Sequence, residues 1–532
     1  MTGESAHLDS FARDNLPPRE QWPQFVFDLP ELQFAERLNA GRLLDRAVEA
    51  GHGGRTAVLW GDVAWSYDEL LDRANRIARV LVEDLGLVPG NRVLLHAPNQ
   101  PMTIAAWFGI LKAGGIVVAT MPLLRPAELR AVIDKAEISH ALCEASLKPA
   151  IEAAEAPSMQ RIVTFGTGEL EGLMAAKPAG FDDVETAADD VAMIAFTSGT
   201  TGKPKGCMHF HRDVLAMAET FSRRVLEPEP DEVFCGTPPF AFTFGLGGAV
   251  VFPIHAFAAT AIPTKPGFEA LCETIQKHRV TTLFTAPTAY RAMLKLISDY
   301  DLSSLRKCVS AGEPLPAATS DAWFDAIGIR IIDGIGSTEM IHIFISAAGD
   351  DIRPGATGKA VPGYEACVVD EDGHRLPPGS TGRLAVRGPT GCRYLADERQ
   401  ANYVQGGWNL TGDVYRQDED GYFWFVSRAD DMIISAGYNI GAPEVEQAIL
   451  QHPAVLECAV IGVPDEDRGQ VVKAFVVLHD QDQASDALRT EIQDHVKRTI
   501  APYKYPRRLD FVPELPKTQT GKLQRFRLRE PA

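Results

Sequence analysis

Residues 196–206 read FTSGTTGKPKG and follow directly on the apolar run 191–195. The apolar run predicts a buried strand, and small residues after a strand let backbone N–H groups converge on an oxyanion. The Ser and Thr hydroxyls add hydrogen-bond donors, and Lys203 and Lys205 add positive charge. A flexible surface loop is the alternative for a stretch rich in Gly, Ser and Thr. Considered by themselves, these residues leave both alternatives open.

This loop differs from a Walker A loop. That motif requires a Gly, four further residues and then Gly-Lys-Ser/Thr. Here Thr197 stands at the first Gly position, and Pro204 follows Lys203. The loop is therefore not a Walker A loop.

Alternating helix and strand patterns surround the loop. A helical pattern over 70–83 precedes an apolar strand at 92–96, and an apolar helix over 103–112 precedes a strand at 116–120. A similar alternation recurs over 226–334. Repeated β-α-β units imply a mostly parallel sheet that is covered by helices.

The two ends of the chain differ from this pattern. The first forty or so residues are rich in Pro and aromatic residues and predict an extended arm over a domain surface. Over 358–426, short strands between Gly and Pro turns predict a small antiparallel barrel or sheet. After Arg428 a compact α+β segment is expected. The predicted fold class is α/β plus α+β, with a large N-terminal domain of layered β/α subdomains and a small barrel-like subdomain over 1–429, and a small mobile domain over 430–532.

Composition excludes several classes of protein. The 532 residues are 45% hydrophobic and 23% charged, which is typical of a globular protein and not of a disordered or collagen-like chain. A net charge of −19 argues against nucleic acid and anionic membranes as partners. The longest apolar stretch, 102–124, is interrupted by Lys112 and Pro122, so it predicts a buried helix and strand, with no membrane span.

The cysteines and the N-terminus indicate the compartment. No two of the eight cysteines have a Cys-x-x-Cys spacing, so they predict reduced thiols and neither a disulfide framework nor a zinc site. The first residues lack a basic segment followed by an apolar one, so no signal peptide is visible. A cytoplasmic protein is expected.

Seven short segments stand in order along the chain: FTSGTTGKPKG (196–206), FTAPTAYR (284–291), SAGEPLP (310–316), DGIGSTEM (333–340), TGD (411–413), SRADDMIISAGYNI (427–440) and PKTQTGK (516–522). Together they resemble the adenylate-forming enzymes, a superfamily of acyl-CoA synthetases, adenylation domains and luciferases. The resemblance covers essentially the whole chain. It implies that a carboxylate attacks the α-phosphate of Mg-ATP to give an acyl-adenylate and pyrophosphate, after which a thiol displaces AMP. ATP, Mg²⁺ and CoA are the implied cofactors and co-substrates.

The resemblance assigns nucleotide-binding roles to individual residues. Glu339 matches the Mg²⁺-binding carboxylate, and Thr338 matches a residue beside the α-phosphate. An aliphatic Ile335 stands where many members have an aromatic residue. The residues that match the loop for the β- and γ-phosphates are Thr197, Ser198, Gly199, Thr200, Thr201 and Lys205. The other residues that match ATP-binding positions are Gly312, Glu313, Pro314, Asp333, Gly334, Ile335, Gly336 and Ser337.

Two further matches concern the ribose and the catalytic lysine. Asp413 resembles the aspartate that accepts hydrogen bonds from both ribose hydroxyls, and Arg428 resembles an arginine that also reaches the ribose. An ordinary turn aspartate is the alternative for Asp413. Lys522 resembles the catalytic lysine that neutralises charge on the attacking carboxylate and the α-phosphate. An exposed lysine in a basic tail is the alternative for Lys522.

The resemblance also implies a rotation of the small domain. Asp430 lies where the family has its hinge, at which a short peptide absorbs the dihedral change. Gly437 would leave room for the pantetheine arm of CoA after the rotation. Lys504 is a candidate contact for the phosphates of CoA, with a solvated basic patch as the alternative.

The acid pocket is indicated by aromatic residues. Phe240, Phe242 and Phe244 alternate, which predicts that one strand face carries all three; a buried strand without function is the alternative for the first two. The residues that match pocket positions of the benzoate–CoA ligase branch are Phe244, Gly245, Ala311, Gly336, His342 and Ile343. His342 would offer a polar partner to a ring substituent, or be a hydrogen-bonded core histidine. The arm FARDNLPPREQWPQF resembles 2-aminobenzoate–CoA ligases in particular.

Several functions compete. The leading hypothesis is an aryl-CoA ligase for benzoate or 2-aminobenzoate. Within the same mechanism, the alternatives are a medium-chain acyl-CoA synthetase and a stand-alone adenylation enzyme that loads the thiol of a separate carrier protein. A catalytically silent nucleotide-binding scaffold is a different class, and the intact Lys205, Glu339, Asp413 and Lys522 argue against it. The oligomeric state is open, with a homodimer among the options.

Overall fold

The computed structural model describes residues 4–197, 204–435, 438–465, 468–500, 502–517 and 523–529. The chain divides into two compact units. The first unit comprises Met1–Ala366 and Ala385–Leu410, and the second comprises Cys367–Leu384 and Thr411–Ala532. The predicted boundary between residues 429 and 430 stays a prediction.

Short strands and short helices alternate along both units. The strands are β1 (Thr56–Trp60), β2 (Val63–Ser66), β3 (Arg92–His96), β4 (Ile116–Thr120), β5 (His140–Glu144), β6 (Arg161–Phe165), β7 (Val191–Thr197), β8 (Lys205–Phe210), β9 (Val233–Gly236), β10 (Ala259–Ile262), β11 (Thr282–Thr285), β12 (Lys307–Ser310), β13 (Ile331–Gly336), β14 (Ile343–Ser346), β15 (Lys359–Ala360), β16 (Glu365–Val369), β17 (Thr381–Arg387), β18 (Val404–Gln405), β19 (Trp408–Gln417), β20 (Phe423–Arg428), β21 (Met432–Ser435), β22 (Tyr438–Gly441), β23 (Val455–Asp465), β24 (Gly469–Leu478) and β25 (Arg508–Phe511). The helices are α1 (Phe11–Asp14), α2 (Leu43–Ala47), α3 (Tyr67–Arg79), α4 (Pro101–Lys112), α5 (Pro126–Ala136), α6 (Lys148–Glu152), α7 (Glu169–Ala175), α8 (His211–Met217), α9 (Thr243–Leu246), α10 (Phe252–His255), α11 (Phe268–His278), α12 (Pro287–Met293), α13 (Ala317–Ile327), α14 (Gln400–Tyr403), α15 (Ala442–Leu450), α16 (Asp486–Thr499) and α17 (Arg525–Arg529). In the described ranges, no helix is both long and apolar enough to span a membrane.

The first unit contains a six-stranded sheet in the order β6-β5-β3-β4-β7-β8. Its β3–β4, β3–β5, β4–β7 and β5–β6 pairs are parallel, and only β7 and β8 pair antiparallel as a hairpin. The side chains of β3 are buried on both faces, as expected for a parallel strand between layers of helices. The strands predicted at 92–96 and 116–120 are confirmed at both ends.

The first unit also contains a nine-stranded sheet in the order β15-β14-β13-β12-β11-β9-β10-β1-β2. Its neighbours β11, β12 and β13 are parallel, with Thr285 opposite Ser310 and Ser310 opposite Asp333. Parallel strands end at the same edge of a sheet, where open α/β sheets bind ligands. The sheet therefore brings the segments that follow these three strands to one edge.

Local sequence explains where the helices begin. At the start of α3, the Ser66 hydroxyl accepts a hydrogen bond from the Glu69 N–H, and the Glu69 carboxylate accepts one from the Ser66 N–H. This capping box satisfies two N–H groups that a helix leaves unpaired. Helix α4 begins with Pro101, whose fixed φ suits the first turn, and nearly all of its side chains are buried. The apolar helix predicted at 103–112 is confirmed.

The N-terminal arm packs on the first unit. It contains the short helix α1 and single turns at Arg19–Gln21 and Pro30–Leu32, so it is less extended than predicted. Ala12 is fully buried in a hydrophobic cluster against which Phe11 and Trp22 pack. The prediction that the arm covers a domain surface is confirmed.

The second unit contains an α+β segment with its own core. Strands β22, β21, β24 and β23 are neighbours in one sheet, and β25 pairs parallel with β24. Helices α15 and α16 contribute Val445 and Val496 to a hydrophobic cluster with Val472 of β24. Before this segment, β19 and β20 form an antiparallel pair. The predicted α/β plus α+β fold class is confirmed.

Candidate active site

The β7–β8 hairpin carries the residues at either end of the predicted phosphate loop. Thr197 is the last residue of β7, and its register partner is Lys205, the first residue of β8. Ser198, Gly199, Thr200 and Thr201 lie outside the described residues, so their roles stay predictions.

Glu339 and Lys205, which the sequence places in one site, lie close together. The Lys205 ammonium is 3.6 Å from Oε1 of the buried Glu339. Between them lies the hydroxyl of Tyr394, which donates a hydrogen bond of 2.5 Å to Oε1 and accepts one of 2.9 Å from Lys205. Burial and the charge of Glu339 raise the pKa of Tyr394, so this side chain stays a neutral phenol. Tyr394 was missed by sequence reasoning.

The backbone around Glu339 is tightly specified. Glu339 lies in a single 3₁₀ turn, Thr338–Met340, whose N-cap Ser337 accepts a hydrogen bond from the Met340 N–H. Ile341 follows with φ of +65°, a conformation that costs a β-branched residue energy. A Cβ atom on Gly336 would lie 2.7 Å from the backbone of His342, so the close approach of β13 and β14 requires glycine there. The chain therefore stores strain next to the carboxylate.

A series of buried charged side chains supports this turn. His209 donates from Nε2 to the Thr338 carbonyl at 2.8 Å, and its Nδ1 is 3.7 Å from the Asp213 carboxylate. Asp213 also accepts a short hydrogen bond from the fully buried Arg393. Burial opposes the charged form of His209, but Cys207 and Asp213 outweigh it and raise its pKa to about 9. The sequence alone did not indicate this support for Thr338.

The residues assigned to ATP on the nine-stranded sheet lie along one edge. Gly312 follows β12 and has φ of +88°, which glycine adopts without strain, and it is followed by Glu313 and Pro314. Asp333, Gly334, Ile335 and Gly336 complete β13 next to it. In the described part of the chain, Oδ1 of Asp333 is shielded and has no hydrogen-bond partner. Burial raises the pKa of this carboxyl to about 8.

The predicted strand face of Phe240, Phe242 and Phe244 is wrong. Phe242 donates its N–H to the Pro239 carbonyl in a turn, and the helical segment that contains α9 and α10 begins at Thr243. Phe240 is therefore buried, Phe242 is exposed, and Phe244 lies on the helix. The three phenylalanines are spaced two residues apart because a turn is followed by a helix, and not because they lie on a strand. A Cβ atom on Gly245 would lie 2.2 Å from the Pro239 carbonyl oxygen, which fixes glycine at this position.

Aromatic rings surround His342 at this helix. The imidazole is 4.6 Å from the Phe252 ring, 5.5 Å from Phe221 and 5.8 Å from Phe244. A Cβ atom on Gly247 would lie 2.4 Å from the imidazole, so this glycine admits the ring. Among the described residues, neither ring nitrogen of His342 has a hydrogen-bond partner. Burial lowers its pKa to about 3, so the imidazole is neutral.

Two further predicted pocket residues, Ile343 and Ala311, are buried. Ile343 begins β14 and is the register partner of Gly336, and Ala311 follows β12 on the neighbouring strand. The structure thus brings Phe244, His342, Ile343 and Gly336 into one neighbourhood beside the turn that carries Glu339.

In the second unit, Asp413 and Arg428 are register partners on β19 and β20. An N–H of the Arg428 guanidinium donates to Oδ1 of the buried Asp413 at 3.0 Å. Asp430 lies in the turn Ala429–Asp431, and its hinge role stays a prediction. The Lys504 ammonium donates to both carboxylate oxygens of Glu444, at 2.5 and 2.6 Å. Gly437 and Lys522 lie outside the described residues, and their roles stay predictions.

Known proteins resemble this chain over most of its length. Residues 44–394 match the family described as AMP-binding enzyme, and residues 444–522 match the AMP-binding enzyme C-terminal domain. The benzoate–CoA ligase of Thauera aromatica is 37% identical over 514 residues, which cover 94% of this chain and 97% of that protein. The crystal structure of the anthranilate CoA ligase AuaEII in complex with anthranoyl-AMP superposes with a TM-score of 0.89 at 36% identity, covering 94% of this chain and 98% of that one. A benzoate CoA ligase from Burkholderia xenovorans LB400 superposes with a TM-score of 0.83 at 33% identity, covering 93% and 100%.

The chain therefore belongs to the AMP-binding enzyme family. Its activity is that of an AMP-forming acyl- or aryl-CoA ligase, which uses ATP and CoA. The resemblance inferred from the seven segments, including that to the benzoate and 2-aminobenzoate branch, is confirmed.

Proposed function

We propose that this enzyme activates a benzoate-type acid, with 2-aminobenzoate favoured, and transfers the aroyl group to CoA. The observation that carries the proposal is the neutral His342, whose ring nitrogens lack partners among the described residues and whose neighbours are aromatic. A buried polar group without a partner costs free energy that a bound ligand can recover. The 2-amino group of the acid would donate a hydrogen bond to one of these nitrogens.

The surroundings of His342 favour a flat acid. Aromatic rings pair with offset or edge-on geometry at centroid separations of about 4.5–7 Å, and the Phe244 and Phe252 rings already pack on His342 within this range. A planar aromatic ring fits such a pocket. The 2-amino group of 2-aminobenzoate, which benzoate and fatty acids both lack, would give the imidazole a hydrogen-bond partner. Among the similar proteins are benzoate–CoA ligases and an anthranilate CoA ligase in complex with anthranoyl-AMP, which supports the same class of acid here.

The residues at the Glu339 turn suit a magnesium ion. Mg²⁺ prefers carboxylate oxygens, and Glu339 presents one that is mostly shielded from water. Among the described residues, Oε1 of Glu339 faces Tyr394 and Lys205, and Oε2 has no hydrogen-bond partner. When bound, Mg²⁺ would offset negative charge on the phosphates. Glu339 would hold the ion, and the Lys205 ammonium would pair with the β- and γ-phosphates.

In the first half-reaction, an oxygen of the acid attacks the α-phosphorus, and the bond to pyrophosphate breaks. Thr338, which His209 holds through its carbonyl, would bind the α-phosphate. The orphaned Oδ1 of Asp333 would accept a hydrogen bond from the adenine amino group. Asp413 and Arg428 would bind the ribose hydroxyls, and Lys522 would balance charge between the carboxylate and the α-phosphate.

In the second half-reaction, the thiol of CoA attacks the carbonyl carbon of the aroyl-adenylate, and AMP leaves with the bridging oxygen. We propose that the small domain turns at Asp430 between the two halves, withdrawing Lys522 and bringing Gly437 to the pantetheine arm. A carrier-protein thiol in place of CoA is the competing acceptor.

The proposal is tested by pyrophosphate release with benzoate, aminobenzoates, hydroxybenzoates and C4–C10 fatty acids, each with and without CoA. We expect 2-aminobenzoate or benzoate to give the highest kcat/KM and a thioester product by mass spectrometry. A fatty acid as best substrate would contradict the aromatic pocket. Aroyl-adenylate without thioester would point to a carrier protein.

Replacing Phe244 by Ala should shift the preference towards bulkier acids. The change removes a half-buried ring that packs on His342, and its loss opens space that a larger acid fills. We expect the ratio of kcat/KM for a larger over a smaller acid to rise about tenfold, in line with the ~1–3 kcal/mol that pocket contacts discriminate. Phe242→Ala is the matched control, because Phe242 is exposed two residues away. An unchanged ratio in Phe244→Ala would remove Phe244 from the acid pocket.

A further inference from the structure

We infer that Tyr394 is a positioning residue, which holds Glu339 and Lys205 as a preorganised pair for the metal–nucleotide complex. The inference rests on the proposed roles of Glu339 and Lys205. Neither the motifs nor the proposed mechanism gives Tyr394 a task, yet its hydroxyl lies between these two side chains.

The direction of the hydrogen bonds at Tyr394 is fixed by chemistry. An ammonium group can only donate, a carboxylate can only accept, and a phenol has one donor and two acceptor sites. Lys205 therefore donates to the Tyr394 oxygen at 2.9 Å, and Tyr394 donates to Oε1 of Glu339 at 2.5 Å. The phenol thus separates the two charges and leaves Oε2 of Glu339 open among the described residues. The Lys205 ammonium already lies 3.6 Å from Oε1, and without the phenol between them it would close to direct hydrogen-bonding distance.

The Tyr394 ring is held on several sides. The backbone of Tyr394 forms a bridge with Cys207 of β8, and its N–H donates to the Gln400 side chain at 2.9 Å. The ring packs edge-on against Tyr403 at 5.9 Å, and the Tyr403 hydroxyl lies 3.2 Å from that of Ser337, the residue that caps the Glu339 turn. A side chain locked in this way presents its hydroxyl at a fixed point.

The test is the variant Tyr394→Phe, which keeps the ring and removes the hydroxyl. The dissociation constant of α,β-methylene-ATP, which cannot be cleaved at the α-phosphate, is measured by calorimetry with Mg²⁺ and with EDTA. The dissociation constant in EDTA divided by that in Mg²⁺ reports how much the metal strengthens nucleotide binding. We expect this ratio to fall by about 10- to 100-fold, the usual cost of losing a residue that orients a metal ligand. A purely structural defect would weaken binding in both conditions and leave the ratio unchanged.

Two further variants make the result decisive. Tyr290→Phe removes a buried hydroxyl outside the Glu339 turn, which donates a hydrogen bond of 2.9 Å to the Val309 carbonyl. The ratio of the two dissociation constants for this variant should stay at the wild-type value. Glu339→Gln removes the proposed metal ligand itself. A fall in both Glu339→Gln and Tyr394→Phe supports the inference. A fall in Glu339→Gln alone overturns the role of Tyr394 and leaves the proposed function intact, whereas no fall in Glu339→Gln overturns the metal role and the inference with it.

Discussion

Lys522→Ala is expected to lower the rate of pyrophosphate release by about 10²- to 10³-fold, the usual loss when one aimed electrostatic group is removed from a transition state. Thioester formation from supplied aroyl-adenylate should continue at nearly the wild-type rate, because the proposed rotation of the small domain withdraws Lys522 from the site before that half-reaction. The two half-reactions are measured separately, the first as pyrophosphate release and the second as aroyl-CoA formed from synthetic adenylate.

Lys517→Ala is the matched control for this experiment. Lys517 stands in the same PKTQTGK segment, and its ammonium pairs with Glu457 at 2.7 Å. It should leave both half-reactions unchanged. Equal loss of both half-reactions in Lys522→Ala would contradict the proposed rotation of the small domain, since that rotation assigns Lys522 to adenylation alone.

Glu339→Gln is expected to reduce pyrophosphate release by a similar factor of about 10²- to 10³-fold and to raise the Mg²⁺ concentration that gives half-maximal rate. The substitution keeps the size of the side chain and removes its charge. The reduction in rate would therefore report the interaction of Glu339 with the metal. The rate is measured over a range of Mg²⁺ concentrations at saturating ATP.

The control for Glu339→Gln is Glu219→Gln, a buried carboxylate of the same unit that pairs with His255 at 3.0 Å. Glu219→Gln should lower the free energy of unfolding and leave the Mg²⁺ concentration for half-maximal rate nearly unchanged. An identical Mg²⁺ dependence in Glu339→Gln and wild type would mean that Glu339 does not bind the metal.

The parts of the fold that local pattern decides were predictable from the sequence. Strands β3 and β4 are continuous apolar runs between turns, and both were located at their observed bounds. Glu339 and Lys205 were assigned to one site by short motifs, and their side chains lie 3.6 Å apart. A short motif makes such residues recognisable because the residues next to them in the sequence belong to the same predicted site.

The contacts that the sequence did not predict join distant segments. Tyr394 lies 55 positions after Glu339 in a stretch with little regular structure, and no periodic pattern marks it. His209 lies 129 positions before its partner Thr338, shortly after the predicted phosphate loop, and no motif marks it. Only tertiary packing brings such side chains together, so a single sequence carries no signal for the pairing.

The error at residues 240–244 has a different origin. Alternating aromatic residues predict a strand, but the Pro239 turn and the glycines at 245, 247 and 248 favour close packing of a helix. The glycines admit the His342 and Phe284 rings against the helix. Period-two spacing over only five residues is too short to exclude a turn followed by a helix.

The most direct test of the proposed reaction follows the oxygen atoms of the acid. 2-Aminobenzoate labelled with ¹⁸O in both carboxylate oxygens is incubated with ATP, Mg²⁺ and CoA, and the products are analysed by mass spectrometry. We predict one ¹⁸O atom in AMP, one in the aroyl-CoA carbonyl and none in pyrophosphate, because the carboxylate oxygen that attacks the α-phosphorus leaves with AMP. Unlabelled AMP, or no aroyl-CoA from this acid, would contradict the account.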